Sequence, residues 1–68
     1  MKFNQKLLDI DLKKKQFYEL KSEKETNKEI GISRATRWRI SKGKEMTMAT
    51  FLKCLEWLNQ EPNRYFER

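Results

Sequence analysis

Hydrophobic residues recur at helical spacing near both ends of the chain. Near the start they are Phe3, Leu7, Leu8 and Leu12, which predict a first helix over about residues 4–15. A stronger pattern follows Thr47, a residue type that caps helix N-termini. Its apolar positions are Met48, Phe51, Leu52, Leu55 and Leu58. This pattern predicts an amphipathic helix that contributes centrally to the core.

The middle of the chain carries signals for helix starts and stops. The segment SEKE forms a capping-box pattern, in which Ser22 and Glu25 each accept a hydrogen bond from the other's backbone. It predicts a short second helix from about Ser22 to Ile30. Gly31 then suits the left-handed position that ends a helix. The apolar pattern of the first helix continues past residue 15, so whether these two helices are continuous stays open at this point.

A third helix is predicted to begin at Ser33, a good N-cap residue, and to run to about Lys42, with Gly43 ending it. Only Ile32 separates Gly31 from Ser33. So short a connection makes the two helices meet at a steep angle, which is the geometry of a helix-turn-helix.

The rest of the chain adds one more element. Asn59 suits the end of the fourth helix, and Pro62 suits the first position of a final turn. No segment shows the sustained alternation of a strand. The predicted fold is all-α, a compact bundle of about five short helices containing a helix-turn-helix, in one domain covering residues 1–68.

Composition excludes several kinds of chemistry. Cys54 is the single cysteine and there is no histidine, so neither an internal disulfide nor a zinc site of the usual ligands is expected. Asp9 and Asp11 are interpreted as part of a solvated helix face rather than as a cation site. We therefore expect no enzyme activity, cofactor, metal or small-molecule substrate.

Without an apolar run long enough for a signal or a membrane span, a cytoplasmic protein with no membrane partner is expected.

The positive charge is concentrated in one part of the chain. The formal net charge of the chain is +6. Residues 26–44 contain six basic side chains and a single acidic one, that of Glu29. Clustered Lys and Arg gain affinity for a phosphate backbone by releasing its condensed counterions. A polyanion is the expected counterpart of this segment.

The same region resembles a known family. EIGISRATRWRISKG followed by TMATFLKCLEWLN is similar to the Cro and repressor (XRE-type) helix-turn-helix family over about residues 22–59. In that family an apolar residue and glycine end one helix, and an apolar residue and serine open the recognition helix. Ile30, Gly31, Ile32 and Ser33 follow this order. The resemblance implies a lambda-repressor-like fold that binds DNA through the helix at about residues 33–42.

Three positions depart from the family pattern. Asn27 stands where the family prefers alanine, Thr26 where it usually has leucine, and Arg37 where a buried aliphatic is normal. These departures leave the register of the second helix open. In the alternative, residues 16–22 supply part of that helix and a longer turn precedes Gly31.

At about 100° per residue, the third helix separates into two faces. Ile40 marks the inner face, which it shares with Ser33, Thr36 and Arg37. The outer face, which carries Arg34, Ala35, Trp38, Arg39 and Lys42, would enter the major groove with its N-terminal residues nearest the bases. The resemblance implies the same assignment.

The predicted DNA contacts fall into two sets. Arg34 would bond O6 and N7 of guanine, and Ala35 would contact a thymine methyl group. Trp38 would contact a thymine methyl group or pack on the sugar backbone, with a buried Trp38 as the alternative. The predicted base-reading set is Ser33, Arg34, Ala35 and Trp38. Arg37 is interpreted as packing its stem inward with its head at the DNA backbone. The predicted phosphate-contacting set is Thr26, Asn27, Lys28, Arg37, Arg39, Lys42 and Lys44.

These features predict a sequence-specific, double-stranded DNA-binding transcriptional regulator of the phage or mobile-element repressor type. It would occupy a palindromic operator as a homodimer, at least on DNA. Trp57, Tyr65 and Phe66 are candidates for the dimer surface, with a role in the core as the alternative. The alternative function is a protein-interaction module of antitoxin or anti-repressor type, whose basic helix binds an acidic partner.

Overall fold

The computed structural model of the protein describes residues 2–67 and is mostly helical. Its four α-helices are α1 (Gln5–Tyr18), α2 (Glu23–Ile30), α3 (Arg34–Ser41) and α4 (Met48–Leu58). A 3₁₀ helix spans Pro62–Tyr65, and two short strands, β1 (Lys2–Phe3) and β2 (Phe66–Glu67), lie at the two ends. Within residues 2–67, no helix combines the length and the apolar character needed to cross a bilayer.

The helix boundaries follow local signals that the sequence displays. Ser22 and Glu25 form both hydrogen bonds of the capping box. Ser33 and Thr47 each accept a hydrogen bond from the backbone N–H three residues on. Asn59 adopts the left-handed conformation predicted at the end of α4. The predicted starts of α2, α3 and α4 are therefore confirmed.

The first helix is longer than predicted and separate from the second. α1 continues to Tyr18, and Leu20 then adopts a left-handed backbone with φ 55°, which ends the helix. Phe17 and Leu20 continue the apolar pattern past residue 15, but they and Tyr18 are largely exposed, so burial of an apolar stripe does not account for this extension. Gln16 belongs to α1, which decides against the alternative in which residues 16–22 form part of the second helix.

The purely helical prediction is wrong at the chain ends. β1 and β2 pair antiparallel, with Lys2 opposite Glu67 and Phe3 opposite Phe66. Strands of two residues are too short to show alternation, so no sequence pattern predicts them. The ring of Phe3 lies 5.2 Å from that of Phe51, so the small sheet packs against the N-terminal part of α4. The predicted fifth helix is the 3₁₀ helix.

The core lies where all four helices meet. Its buried apolar residues are Leu8, Leu12, Ile30, Ile40, Phe51, Cys54, Leu55 and Tyr65. The predicted central role of α4 holds for Phe51 and Leu55, but Met48 and Leu52 on the same helix are exposed. Burial raises the pKa of the Cys54 thiol to about 11, so the thiol stays protonated at neutral pH.

Asp11 joins α1 to the 3₁₀ helix. Its carboxylate accepts hydrogen bonds from Nε and Nη2 of Arg64 at 2.7 and 3.2 Å, and from the hydroxyl of Tyr65 at 2.7 Å. Asp11 is 8% exposed, and so is Asp9, whose Oδ2 pairs with Nζ of Lys13 at 3.0 Å. The prediction of a solvated acidic face is therefore wrong. The hydrogen bonds from Arg64 hold the pKa of Asp11 below its usual value.

Replacing Asp11 by alanine tests this junction. Asp11→Ala leaves the buried Tyr65 hydroxyl without its acceptor and is expected to lower the free energy of unfolding at pH 7 by about 2 kcal/mol. Because the folded-state pKa of Asp11 is depressed, its stabilisation is present above its usual pKa of 3.8 and is lost as the pH falls through the folded-state value. Urea denaturation from pH 7 to pH 3 should therefore show wild type and variant converging in acid.

Arg64→Ala serves as the comparison for this test. The Arg64 side chain is 43% exposed, so its ion pair is screened, and the variant should lose less than about 1 kcal/mol. A wild-type advantage over Asp11→Ala that stayed constant down to pH 3 would contradict the assigned role of the carboxylate.

Candidate functional site

The turn between α2 and α3 fixes where α3 begins. Gly31 adopts φ 89°, and the backbone N–H groups of Gly31 and Ile32 both donate to the carbonyl of Asn27, at 2.9 and 3.0 Å. A Cβ at Gly31 would meet nothing closer than the Lys53 side chain at 3.8 Å. The positive φ, rather than lack of space, therefore favours glycine here.

The other end of α3 is held by a residue that sequence analysis missed. Nε2 of Gln5, at the start of α1, donates to the carbonyls of Ile40 and Lys44 at 3.2 and 2.8 Å, and lies 3.3 Å from that of Arg39. These carbonyls lie at and just beyond the C-terminus of α3, where backbone acceptors lack helical partners. No local signal identifies Gln5, because it is at least 34 residues away in sequence from each of the groups it binds.

Arg37 points into the protein. It is 2% exposed, and its Nη1 donates to Oδ1 of Asn27 while its Nη2 donates to Oε1 of Gln16, both at 3.0 Å. The guanidinium thus joins α3 to α2 and α1. The prediction that Arg37 contacts phosphate is wrong, because its charged end is occupied inside the fold rather than extended to the surface.

Thr26 and Asn27 are also interior residues. Thr26 is fully buried, and its hydroxyl donates to the carbonyl of Ser22 at 2.9 Å. The buried side chain of Asn27 accepts from Arg37. The predicted phosphate contacts of Thr26 and Asn27 are wrong for the same physical reason, since each polar side chain has an internal partner and is at most 5% exposed.

The outer side of α3 is a continuous exposed surface. We call it the α3 face, and it consists of Arg34, Ala35, Trp38, Arg39 and Lys42. Trp38 is 54% exposed while Ile40 is 1% exposed, so the helix is oriented with Ile40 inward. The orientation predicted for these residues is confirmed, and the alternative of a buried Trp38 is not. Ser33, Lys28 and Lys44 are exposed beside this face.

The cations at and beside the α3 face carry no internal counter-charge. None of the ion pairs in the described part of the chain includes Lys28, Arg34, Arg39, Lys42 or Lys44. Three lysines in α1 and the loop after it, Lys13, Lys15 and Lys21, do form ion pairs. Lys13 pairs with Asp9, and Lys21 pairs with Glu29 at 2.6 Å. The positive charge around α3 therefore stays available to an external anion.

Two depressions flank the α3 face. One lies between α2 and the start of α3, lined by Glu23, Lys24, Asn27, Lys28, Ile32 and Arg34. The other lies between α3 and the loop before α4, lined by Trp38, Arg39, Lys44, Glu45, Met46 and Thr47. Across residues 2–67, no group of three or more His, Cys, Asp or Glu side chains is arranged to hold a metal ion. The chemistry that the site offers is that of cations and an exposed indole.

The candidate dimer residues make contacts within the chain. Tyr65 is fully buried, so its role is in the core, and Phe66 packs its ring 5.4 Å from that of Phe3. Trp57 is half-buried and donates from Nε1 to Oε1 of Glu29 at 3.0 Å. The dimer surface proposed at Tyr65 is therefore wrong, and Trp57 and Phe66 are largely engaged within one chain.

No protein-family model, curated protein or solved structure matches this chain at a significant level. The interpretation of the site consequently depends on its own geometry and on the sequence pattern.

A double-mutant cycle tests the interaction between Arg37 and Asn27. Asn27→Ala removes an acceptor from a buried guanidinium and is expected to cost about 2 kcal/mol of unfolding free energy. Adding Arg37→Leu removes the charge that was left without its partner. The double variant should therefore be more stable than the two single losses predict, by about 1 kcal/mol or more. Urea unfolding followed by circular dichroism measures the unfolding free energies of wild type, the two single variants and the double variant.

Arg39→Leu is the matched control for this cycle, because Arg39 is exposed on the same helix. It should change the unfolding free energy by no more than about 0.5 kcal/mol. Purely additive effects of Asn27→Ala and Arg37→Leu would show that the contact between the two side chains contributes nothing specific.

Proposed function

We propose that this protein is a sequence-specific, double-stranded DNA-binding transcriptional regulator that uses α2, the Gly31 turn and α3 as a helix-turn-helix. The observation that carries the proposal is the exposed α3 face, whose cations are unpaired while the opposite side of the helix is fixed in the core. An α-helix fits the major groove of B-DNA, and a helix-turn-helix presents its second helix there.

The arrangement around α3 supports this docking. Arg34 lies in the first turn of α3, where a recognition helix comes nearest to the base edges. Arg39 lies near the C-terminus of α3, and Lys42 and Lys44 follow just beyond it. Lys28 lies on α2. These four exposed cations are suited to contact phosphates on the flanking backbone, which fixes the register of the protein on DNA. The similarity to the Cro and repressor pattern supports the same assignment.

We further propose that the regulator is a repressor of phage or mobile-element type that occupies a palindromic operator as a homodimer. A helix of eight residues supplies few base contacts. Two copies on half-sites about one helical turn apart, about 34 Å, would double those contacts.

Arg34→Ala is expected to relax sequence preference at one base pair. Bidentate bonding of arginine to guanine contributes roughly 1–3 kcal/mol of discrimination against other bases. Sequences selected from a random duplex pool by wild type and by Arg34→Ala should therefore differ at one position in each half-site. Fluorescence anisotropy on single-base variants of the selected duplex measures the loss.

Lys14→Ala is the control for Arg34→Ala, since Lys14 is exposed and lies on the side of α1 turned away from its contacts with α3. The sequence preference of Lys14→Ala among duplexes should equal that of wild type. If wild type enriches no sequence over random duplex DNA, the proposed function is wrong.

Lys42→Ala should instead weaken binding to all duplexes alike. A lost phosphate contact removes about one released counterion, so the slope of log affinity against log salt should become shallower by about 0.9. Anisotropy titrations at several salt concentrations, on the selected duplex and on a scrambled one, measure this slope. A change confined to the selected duplex would contradict a phosphate contact at Lys42.

A further inference from the structure

The α3 face combines its charges with an exposed apolar surface. Arg34, Ala35 and Trp38 together line a shallow depression on it. Trp38 exposes 54% of its surface there, although a large aromatic ring gains substantial free energy from leaving water. The other tryptophan of the chain, Trp57, is half-buried, bonds Glu29 through Nε1 and lies under Nζ of Lys15 at 4.4 Å. Trp38 is thus the tryptophan whose ring is open to an external ligand.

The exposed ring lies among groups that a duplex would bring close to base edges. Trp38 follows Arg34 by four residues and Ala35 by three, so all three occupy one strip of the helix surface. Phosphates are anionic and hydrated, and the indole gains little from them. At the base edges of the major groove, the apolar group that distinguishes one base from the others is the 5-methyl group of thymine.

Resting on the proposed function, we infer that Trp38 and Ala35 form a contact for thymine methyl groups, next to the base pair that Arg34 bonds. The Cβ atoms of residues three apart on a helix are about 5–6 Å apart. Base pairs of B-DNA are stacked about 3.4 Å apart. The two side chains therefore reach methyl groups on neighbouring base pairs or on pairs one step further apart. Ala35 permits the close approach, because a longer side chain there would hold the helix away from the bases.

Replacing thymine by deoxyuridine tests the contact directly. Deoxyuridine forms the same base pair and lacks only the 5-methyl group. The duplex used is the one that the wild-type protein selects from a random pool, with each thymine replaced singly and affinity measured by anisotropy. We expect one or two positions in each half-site, next to the guanine that Arg34 bonds, at which deoxyuridine weakens binding about four-fold. This is the effect of exposing one methyl group that is buried in the complex.

Two variants test whether Trp38 causes the weaker binding to deoxyuridine. Trp38→Ala should bind the thymine and deoxyuridine duplexes equally at one such position. Tyr18→Ala, which removes an exposed aromatic ring from the C-terminal end of α1, should keep the wild-type difference. The wild-type comparison of thymine with deoxyuridine needs no variant, so it shows whether a methyl group is contacted even if Trp38→Ala does not fold.

The outcomes separate this inference from the proposed function. A selected site that lacks thymine, or one at which wild type binds thymine and deoxyuridine equally at every position, overturns the methyl contact and leaves sequence-specific DNA binding intact. A difference that persists in Trp38→Ala overturns the role of Trp38. Failure to select any sequence overturns both.

Discussion

The hydrogen bonds of the buried Arg37 guanidinium are the contacts on which the placement of α3 depends. The guanidinium ties α3 to α2 through Asn27 and to α1 through Gln16, both at 3.0 Å. Burying a charged group is costly unless its hydrogen bonds are made. The two partners of Arg37 are amide oxygens, and no ion pair in the described chain includes it. The geometry must therefore be kept for the charge to be satisfied, and that geometry orients the α3 face outward.

The same contact accounts for two of the three positions at which the chain differs from the Cro and repressor pattern that it resembles. Asn27 and Arg37 stand where that pattern usually has apolar residues, and they bond each other. Thr26, the third departure, is satisfied by the carbonyl of Ser22 within its own helix. Taken singly, each substitution predicts a polar group at the surface. Taken together, they give a polar packing of α2 on α3, because a buried polar group is stable when its hydrogen bonds are made.

Local features of the fold could be predicted from the sequence, and long-range ones could not. Helix starts at Ser22, Ser33 and Thr47 depend on hydrogen bonds across three residues, which leave a sequence pattern. The outward orientation of Trp38 follows from the helical period once Ile40 is placed in the core. The contact of Asp11 with Tyr65 spans 54 residues, and those of Gln5 with α3 and its following loop span 34 to 39. Such pairings depend on tertiary packing, so single-residue patterns carry no trace of them.

The distribution of charge, rather than its total, determines what α3 can recognise under the proposed function. Lys13, Lys15 and Lys21, in α1 and the loop after it, are paired with acids, whereas the cations around the α3 face are not. Phosphate contacts made by these free cations weaken steeply with salt and do not depend on sequence. An apolar contact of Trp38 with a methyl group releases no counterions, and salt screens it little. Raising the salt concentration therefore removes the sequence-independent part of the affinity first, and the preference that Trp38 and Ala35 provide makes up a growing share of what remains.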